Sequence, residues 1–251
     1  MKIVAIGGGE IGRPGYPVET TKIDRKIVRL SGKKKPRLLF IPTASSDSLG
    51  YAEAVKKHFG GRLGCRVDAL FLIRQKPSHR EIRDKVMKSD IIYVGGGNTL
   101  KMMNIWRRYG VDDLLMQAAK EGIVLSGLSA GAICWFRWGS SDSRKFKDPK
   151  AKFIRVTGLG IIPALFCPHY DHEKSRRPDL KRRMRRNPGI AIAADNCAAI
   201  EIVDGAYRII SSKNKANAYK VYWRGGKYHE DVIEKKKGFV PVEGLLDKRK
   251  R

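Results

Sequence analysis

The chain predicts a three-layer α/β/α sandwich around a mostly parallel central sheet, and three observations predict it. Short apolar runs alternate with amphipathic segments of helical spacing through the first half of the chain. Three of those runs end in glycine-containing loops, at Gly7, Gly95 and Gly127, which a parallel sheet gathers along its carboxyl edge. A length of 251 residues with 42% hydrophobic content is enough for one large core, and no linker or internal repeat divides it. One domain over 1–251 is expected, with about 232–251 as a basic, loosely packed tail.

The elements follow in order. Residues 2–6 are a β-branched run that ends in glycines, the first buried strand. The loop after it, Gly7 to Gly12, matches G-x-G-x-x-G, but Pro14, Gly15 and Pro17 forbid the helix that a dinucleotide site needs there. It is read instead as a glycine turn that lets other loops approach. Ile23, Ile27 and Leu30 share a helix face; 38–41 is a strand, 51–59 a helix closed by Gly60 and Gly61, and 67–73 a strand. Pro77 and Ser78 start a helix that runs to about 88. Strand 90–94 delivers Gly95, Gly96, Gly97 and Asn98, and helices follow over 100–108 and 111–120. The run 123–125 leads to GLSAGA; from there 133–138 is expected to continue a helix and 139–148 to be a polar loop. Later strands are expected in 159–165, 190–194, a hairpin 198–203 with 207–210 around Asp204 and Gly205, and 218–223; the second half of 171–188 is a basic helix.

Lys and Arg total 52 against 25 acidic residues, a formal charge of +27. Non-specific contact with polyanions follows from that excess. No basic segment is interleaved with aromatics in the manner of a nucleic-acid module, so no dedicated nucleic-acid function is read from it. Cys65, Cys134, Cys167 and Cys197 are far apart and sit among apolar or small residues, which argues against disulfides and zinc. His169 and His172 lack a third nearby ligand, so neither metal nor cofactor is expected. No run is long enough for a membrane span or a signal peptide, and a soluble, cytoplasmic monomer or homodimer is expected.

The chemistry centres on Ser129. Gly127, Ser129 and Gly131 give G-x-S-x-G after a strand, the pattern that holds a serine on a strained, exposed turn. A serine hydroxyl needs a base, and the base needs an orienting group. His169, at a strand end between Pro168 and Tyr170, is the best-placed base; His58, His79 and His229 sit in amphipathic or charged surroundings. Asp195, after another strand end, is the favoured acid.

Four stretches, IIYVGGGNTLKMM, LSGLSAGAICW, CPHYD and IAADNCAAIEI, resemble the peptidase E family of serine peptidases, the S51 group. The resemblance implies a flavodoxin-like sandwich of the class I glutamine-amidotransferase type, with serine in place of the nucleophilic cysteine. It assigns Ser129 as nucleophile, His169 as base, and the backbone N–H groups of Gly97 and Ala130 as the oxyanion hole. It also implies a short peptide substrate cut after an N-terminal aspartate. An arginine, Arg176 or Arg177, would pair with that aspartate; Asp142, in the loop Ser140 to Ser143, matches a family aspartate that is the alternative acid or holds the substrate's amino group, and Asn98 is a further candidate for holding substrate. A cyanophycinase-like or β-aspartyl peptidase, and a polyanion-binding protein with a vestigial site, are the alternatives.

Overall fold

The computed structural model describes residues 1–187 and 189–247. Its strands are β1 (Lys2–Ile6), β2 (Arg37–Ile41), β3 (Arg66–Ala69), β4 (Ile91–Val94), β5 (Val124–Leu128), β6 (Phe136–Ser141) and β7 (Ile154–Thr157), then β8 (Ile162–Cys167), β9 (Ile190–Ala194), β10 (Ala198–Val203), β11 (Ala206–Ser211), β12 (Ala218–Arg224), β13 (Lys227–Val232) and β14 (Val240–Pro241). The helices are α1 (Thr21–Leu30), α2 (Leu49–Val55), α3 (His79–Met87), α4 (Thr99–Tyr109), α5 (Val111–Lys120), α6 (Ala130–Ile133), α7 (Arg176–Arg186) and α8 (Val242–Leu246).

Eight strands form one sheet in the order β14-β11-β10-β1-β5-β4-β2-β3. The pairings from β1 to β3 are parallel, and the other edge is antiparallel. On one face Val4, Ile6, Phe40 and Tyr93 pack under α1 and α2 through Ile23, Ile27 and Val55. On the other, Ile3, Ile41, Ile92 and Leu125 pack under Met102, Trp106 and Leu115 of α4 and α5. Such alternation of strand side chains between two apolar faces is why these strands read as continuous hydrophobic runs. The α/β sandwich expected from the sequence is therefore present.

The sequence did not reveal a second sheet, six strands in the order β13-β12-β9-β8-β6-β7. Phe136, Phe166 and Ile192 join its inner face to the same core as α4 and α5, while α7 covers the outer face through Leu180 and Met184. Residues 133–138 do not continue the serine helix, which stops at Ile133; β6 begins at Phe136 and takes in the first part of the supposed polar loop. Within the expected tail, 234–239 is exposed and outside any helix or strand, whereas β14 pairs with β11 and Leu245 of α8 is buried. The basic tail 248–251 lies outside the described residues. The four cysteines are free, buried thiols, and no helix among the described residues is long and apolar enough to cross a membrane.

Candidate active site

β1, β4 and β5 end side by side, and their loops build the site. Gly127 lies in register with Ala5 on one neighbour and Val94 on the other. A Cβ on Gly127 would stand 2.3 Å from the Gly131 carbonyl, and one on Gly131 would stand 2.1 Å from the Val94 carbonyl. Only glycine fits either position. Between them Ser129 adopts φ 56°, ψ −109°, a conformation that costs a side-chain-bearing residue about 1–3 kcal/mol. Its N–H donates to the Ile6 carbonyl at 3.0 Å, so the last residue of β1 holds the turn in place.

His169 follows β8 with φ 52° and is pinned by the same strand: its N–H donates to the Gly7 carbonyl at 3.0 Å. Nε2 is 2.8 Å from Ser129 Oγ. Nδ1 is 2.7 Å from Oδ1 of Asn196, an amide oxygen that can only accept a hydrogen bond, so Nδ1–H donates to it and the lone pair is left on Nε2. That tautomer can take the serine proton. Burial, followed by the nearby Arg176 cation, holds the imidazole below its ordinary value of 6.5. The base is therefore neutral at pH 7. Because protonation switches it off, the acid limb of kcat/KM is expected below pH 6.5. Rates on an uncharged substrate from about pH 4 to about pH 8 test this, and an acid limb above 6.5 would contradict it.

Asp195 is not the orienting group. Its Oδ2 accepts from the Asn217 N–H at 2.8 Å and from the Tyr219 hydroxyl at 3.2 Å. Asp195 still belongs to the end of the ladder, its own N–H donating to the Asn217 carbonyl at 2.9 Å, and consecutive side chains there leave on opposite sides. Its neighbour Asn196 is the one that turns toward His169. Asp171 holds Asn196 from behind, its Oδ1 accepting the Asn196 N–H at 2.8 Å. The signal for Asn196 was present in the word ADN, since an amide oxygen can orient a catalytic imidazole as a carboxylate can.

The first glycine loop lies under this pair. A Cβ on Gly8 would stand 2.0 Å from Asn196 Oδ1 and 2.4 Å from His169 Nδ1, so this loop serves as a close-approach turn rather than a phosphate cradle. Gly97 is equally confined, at φ 137° with the Ala44 carbonyl 2.3 Å from where its Cβ would be. Among the described residues, neither the Gly97 N–H nor the Ala130 N–H, the first of α6, meets an acceptor.

Ser129 and His169 open into a cleft of about 770 Å³, also lined by Gly97, Asn98 and Asp142. Asn98 is occupied with structure: Oδ1 caps α4 by accepting from the Lys101 N–H at 2.9 Å, and Nδ2 donates to the Ser143 carbonyl at 3.1 Å. The two predicted arginines do not line the cleft. Arg176 is buried, donates to the Ser140 carbonyl at 3.0 Å, and lies 3.7 Å from Asp142 and 3.5 Å from Glu173. Arg177 points away, paired with Glu230 and lying over the Tyr170 ring. The cations that do line the cleft are Arg13, Lys101 and Lys147, which the sequence reading passed over because none follows His169. Lys101 is held by Ser46 Oγ at 2.7 Å, and Arg13 by Glu10 at 2.6 Å.

A serine, a neutral imidazole and an amide joined in a line, beside free backbone donors, form a nucleophile with its base and a place for an oxyanion. The chain is similar to known peptidases. The chain is 37% identical over 224 residues to uncharacterized peptidase YgaJ of Bacillus subtilis (strain 168), covering 88% of this chain and 91% of that one. It is 23% identical over 205 residues to cyanophycinase of Trichormus variabilis, covering 79% of this chain and 67% of that one. The solved structure of a peptidase from an acI-B1 actinobacterium shares the fold, with a TM-score of 0.65 at 20% identity over 96% of both chains. The model of peptidase family S51 matches residues 3–210, and the chain belongs to that family and is a peptidase.

Proposed function

We propose that this peptidase is a serine exopeptidase acting on short peptides through Ser129, His169 and Asn196. The observation that carries the reading is the unbroken line of contacts, 2.8 Å from Ser129 Oγ to Nε2 and 2.7 Å from Nδ1 to Asn196 Oδ1. Ser129 attacks the scissile carbonyl while His169 takes its proton, and the Gly97 and Ala130 N–H groups receive the oxyanion. His169 then protonates the leaving amine, and water repeats the sequence on the acyl-enzyme. Asn196 fixes the ring but carries no charge, so the imidazolium formed in the transition state relies on the Asp142 and Glu173 fields against that of Arg176.

Arg13, Lys101 and Lys147 on the cleft wall favour substrates that carry carboxylates, which suits a peptide with an N-terminal aspartate. Asp142, which lines the same wall, would receive the substrate's amino group. The cyanophycinase-like alternative requires a guanidinium-bearing substrate, and the wall's net excess of cations, Arg13, Lys101 and Lys147 against Glu10 and Asp142, opposes it. Hydrolysis of a panel of aspartyl, β-aspartyl and neutral dipeptides tests the reading; preferential cleavage of Asp-X is the expected result, and faster cleavage of β-aspartyl-arginine would overturn the specificity. Asn196→Ala is expected to lower kcat about 10- to 100-fold with little change in KM, because it releases the ring without touching the substrate. An unchanged kcat would remove Asn196 from the mechanism.

A further inference from the structure

The outer face of the second sheet carries a feature that no single segment of the sequence displays. α7 has the sequence RRPDLKRRMRR, with Asp179 as its one acidic residue. Asp179 is taken up by Arg182 and Arg183. Among the described residues no carboxylate pairs with Lys181, Arg185 or Arg186, and all three are exposed. Uncompensated cations at Lys181, Arg185 and Arg186, adjacent or about one turn apart on one helix, repel each other, so the arrangement is at its lowest energy with an anion beside it.

Aromatic rings flank this helix on both sides. Trp223 of β12 and Tyr228 of β13 pack against the α7 cluster at one edge, and Trp138 of β6 packs at the other. Arg185 lies 5.7 Å from the Trp223 ring centre and Lys181 lies 5.0 Å from that of Tyr228. Trp138 has Arg137 at 5.1 Å and Arg155 at 5.4 Å. The Trp223 indole N–H donates to the Lys181 carbonyl at 3.1 Å, which fixes that ring to the helix. The basic and aromatic residues that the sequence shows as separate are thus interleaved by the fold.

We propose that this face binds single-stranded nucleic acid, phosphates along α7 and bases stacked on the rings and their overlying guanidinium planes. Single strands are favoured because stacking needs bases that are not already paired, and planar cations on aromatic rings are the groups that stack them. An anionic membrane is the weaker fit, since the rings are half-buried under cations and offer no apolar side chain to insert among lipid tails.

The test uses the full-length protein and a fluorescein-labelled oligouridylate of about twenty nucleotides, read by anisotropy at about 50 and about 200 mM salt. With about six phosphates neutralised, the affinity should fall roughly 100-fold or more between the two salts. The triple variant Lys181→Gln, Arg185→Gln, Arg186→Gln should weaken binding at least about 10-fold. A control of equal charge loss, Lys33→Gln, Lys34→Gln, Lys35→Gln on an exposed turn remote in sequence, should weaken it less than about 3-fold. Trp138→Leu should weaken it at both salts, and Ser129→Ala should not. Melting temperatures confirm folding, and the single variants Arg185→Gln and Arg186→Gln replace the triple if it fails to fold. Equal weakening by the two triples, no effect of Trp138→Leu, or tighter binding to anionic lipid vesicles than to the oligonucleotide would each overturn the proposal.

Discussion

Ser129→Ala is expected to abolish peptide hydrolysis, with kcat reduced by about 10,000-fold or more while the fold is kept. The substitution removes one oxygen from a half-buried position, and the 2.8 Å contact to His169 is what it deletes. Nothing in the core depends on that oxygen: the turn is held by the Ser129 N–H on the Ile6 carbonyl, which alanine retains. Alanine also inherits the strained φ of 56°, so stability should change by less than about 1 kcal/mol. The size of the kinetic effect follows from losing the covalent intermediate, which leaves only binding and oxyanion stabilisation. Steady-state hydrolysis of a dipeptide, with thermal melting as control, checks it. Residual activity above about 1% of the parent would mean that another group attacks the carbonyl.

Gly8→Ala is expected to damage catalysis strongly although Gly8 takes no part in the chemistry. The added methyl group would stand 2.0 Å from Asn196 Oδ1 and 2.6 Å from His169 Cε1, where ordinary contact begins above 3.4 Å. Both side chains must move by about 1 Å or more, and displacement on that scale costs a catalytic constellation roughly 100-fold in rate. Because it is two side chains and not backbone that must yield, the chain should still fold, with a loss of about 1–3 kcal/mol. A kcat reduced 100-fold with a modestly lowered Tm is the expected result. Full activity would show that the loop gives way without disturbing His169.

The parallel half of the molecule was legible because its signals are local. β1, β4 and β5 are short apolar runs that lead into glycine, and Ser78, Asn98 and Gly110 mark helix ends by their own chemistry. Ser129 and His169 could be read for the same reason, since each follows a strand end. The second sheet was hidden because β6, β7 and β13 carry no continuous apolar run, and β6 overlaps residues that read as helix and polar loop. The exchange of Asp195 for Asn196 has a geometric cause: where a strand ends in a turn, which of two adjacent side chains faces the base depends on backbone angles that composition does not encode. The arginines failed differently. In a helix as basic as α7, sequence cannot tell that Arg176 is buried and already bonded while Arg13, far away in the chain, stands on the cleft wall.

The Ile6 and Gly7 carbonyls, which hold Ser129 and His169 respectively, have a consequence for when activity can begin. Nucleophile and base are separated by 40 residues, and both are gauged from the end of one central strand. That strand lies between β5 and β10, so it is fully paired only after residues up to 203 have been made and docked. A partly folded or newly synthesised copy therefore has a serine and a histidine but no fixed distance between them. On the mechanism proposed above, hydrolysis is therefore expected only once β1 is paired on both sides.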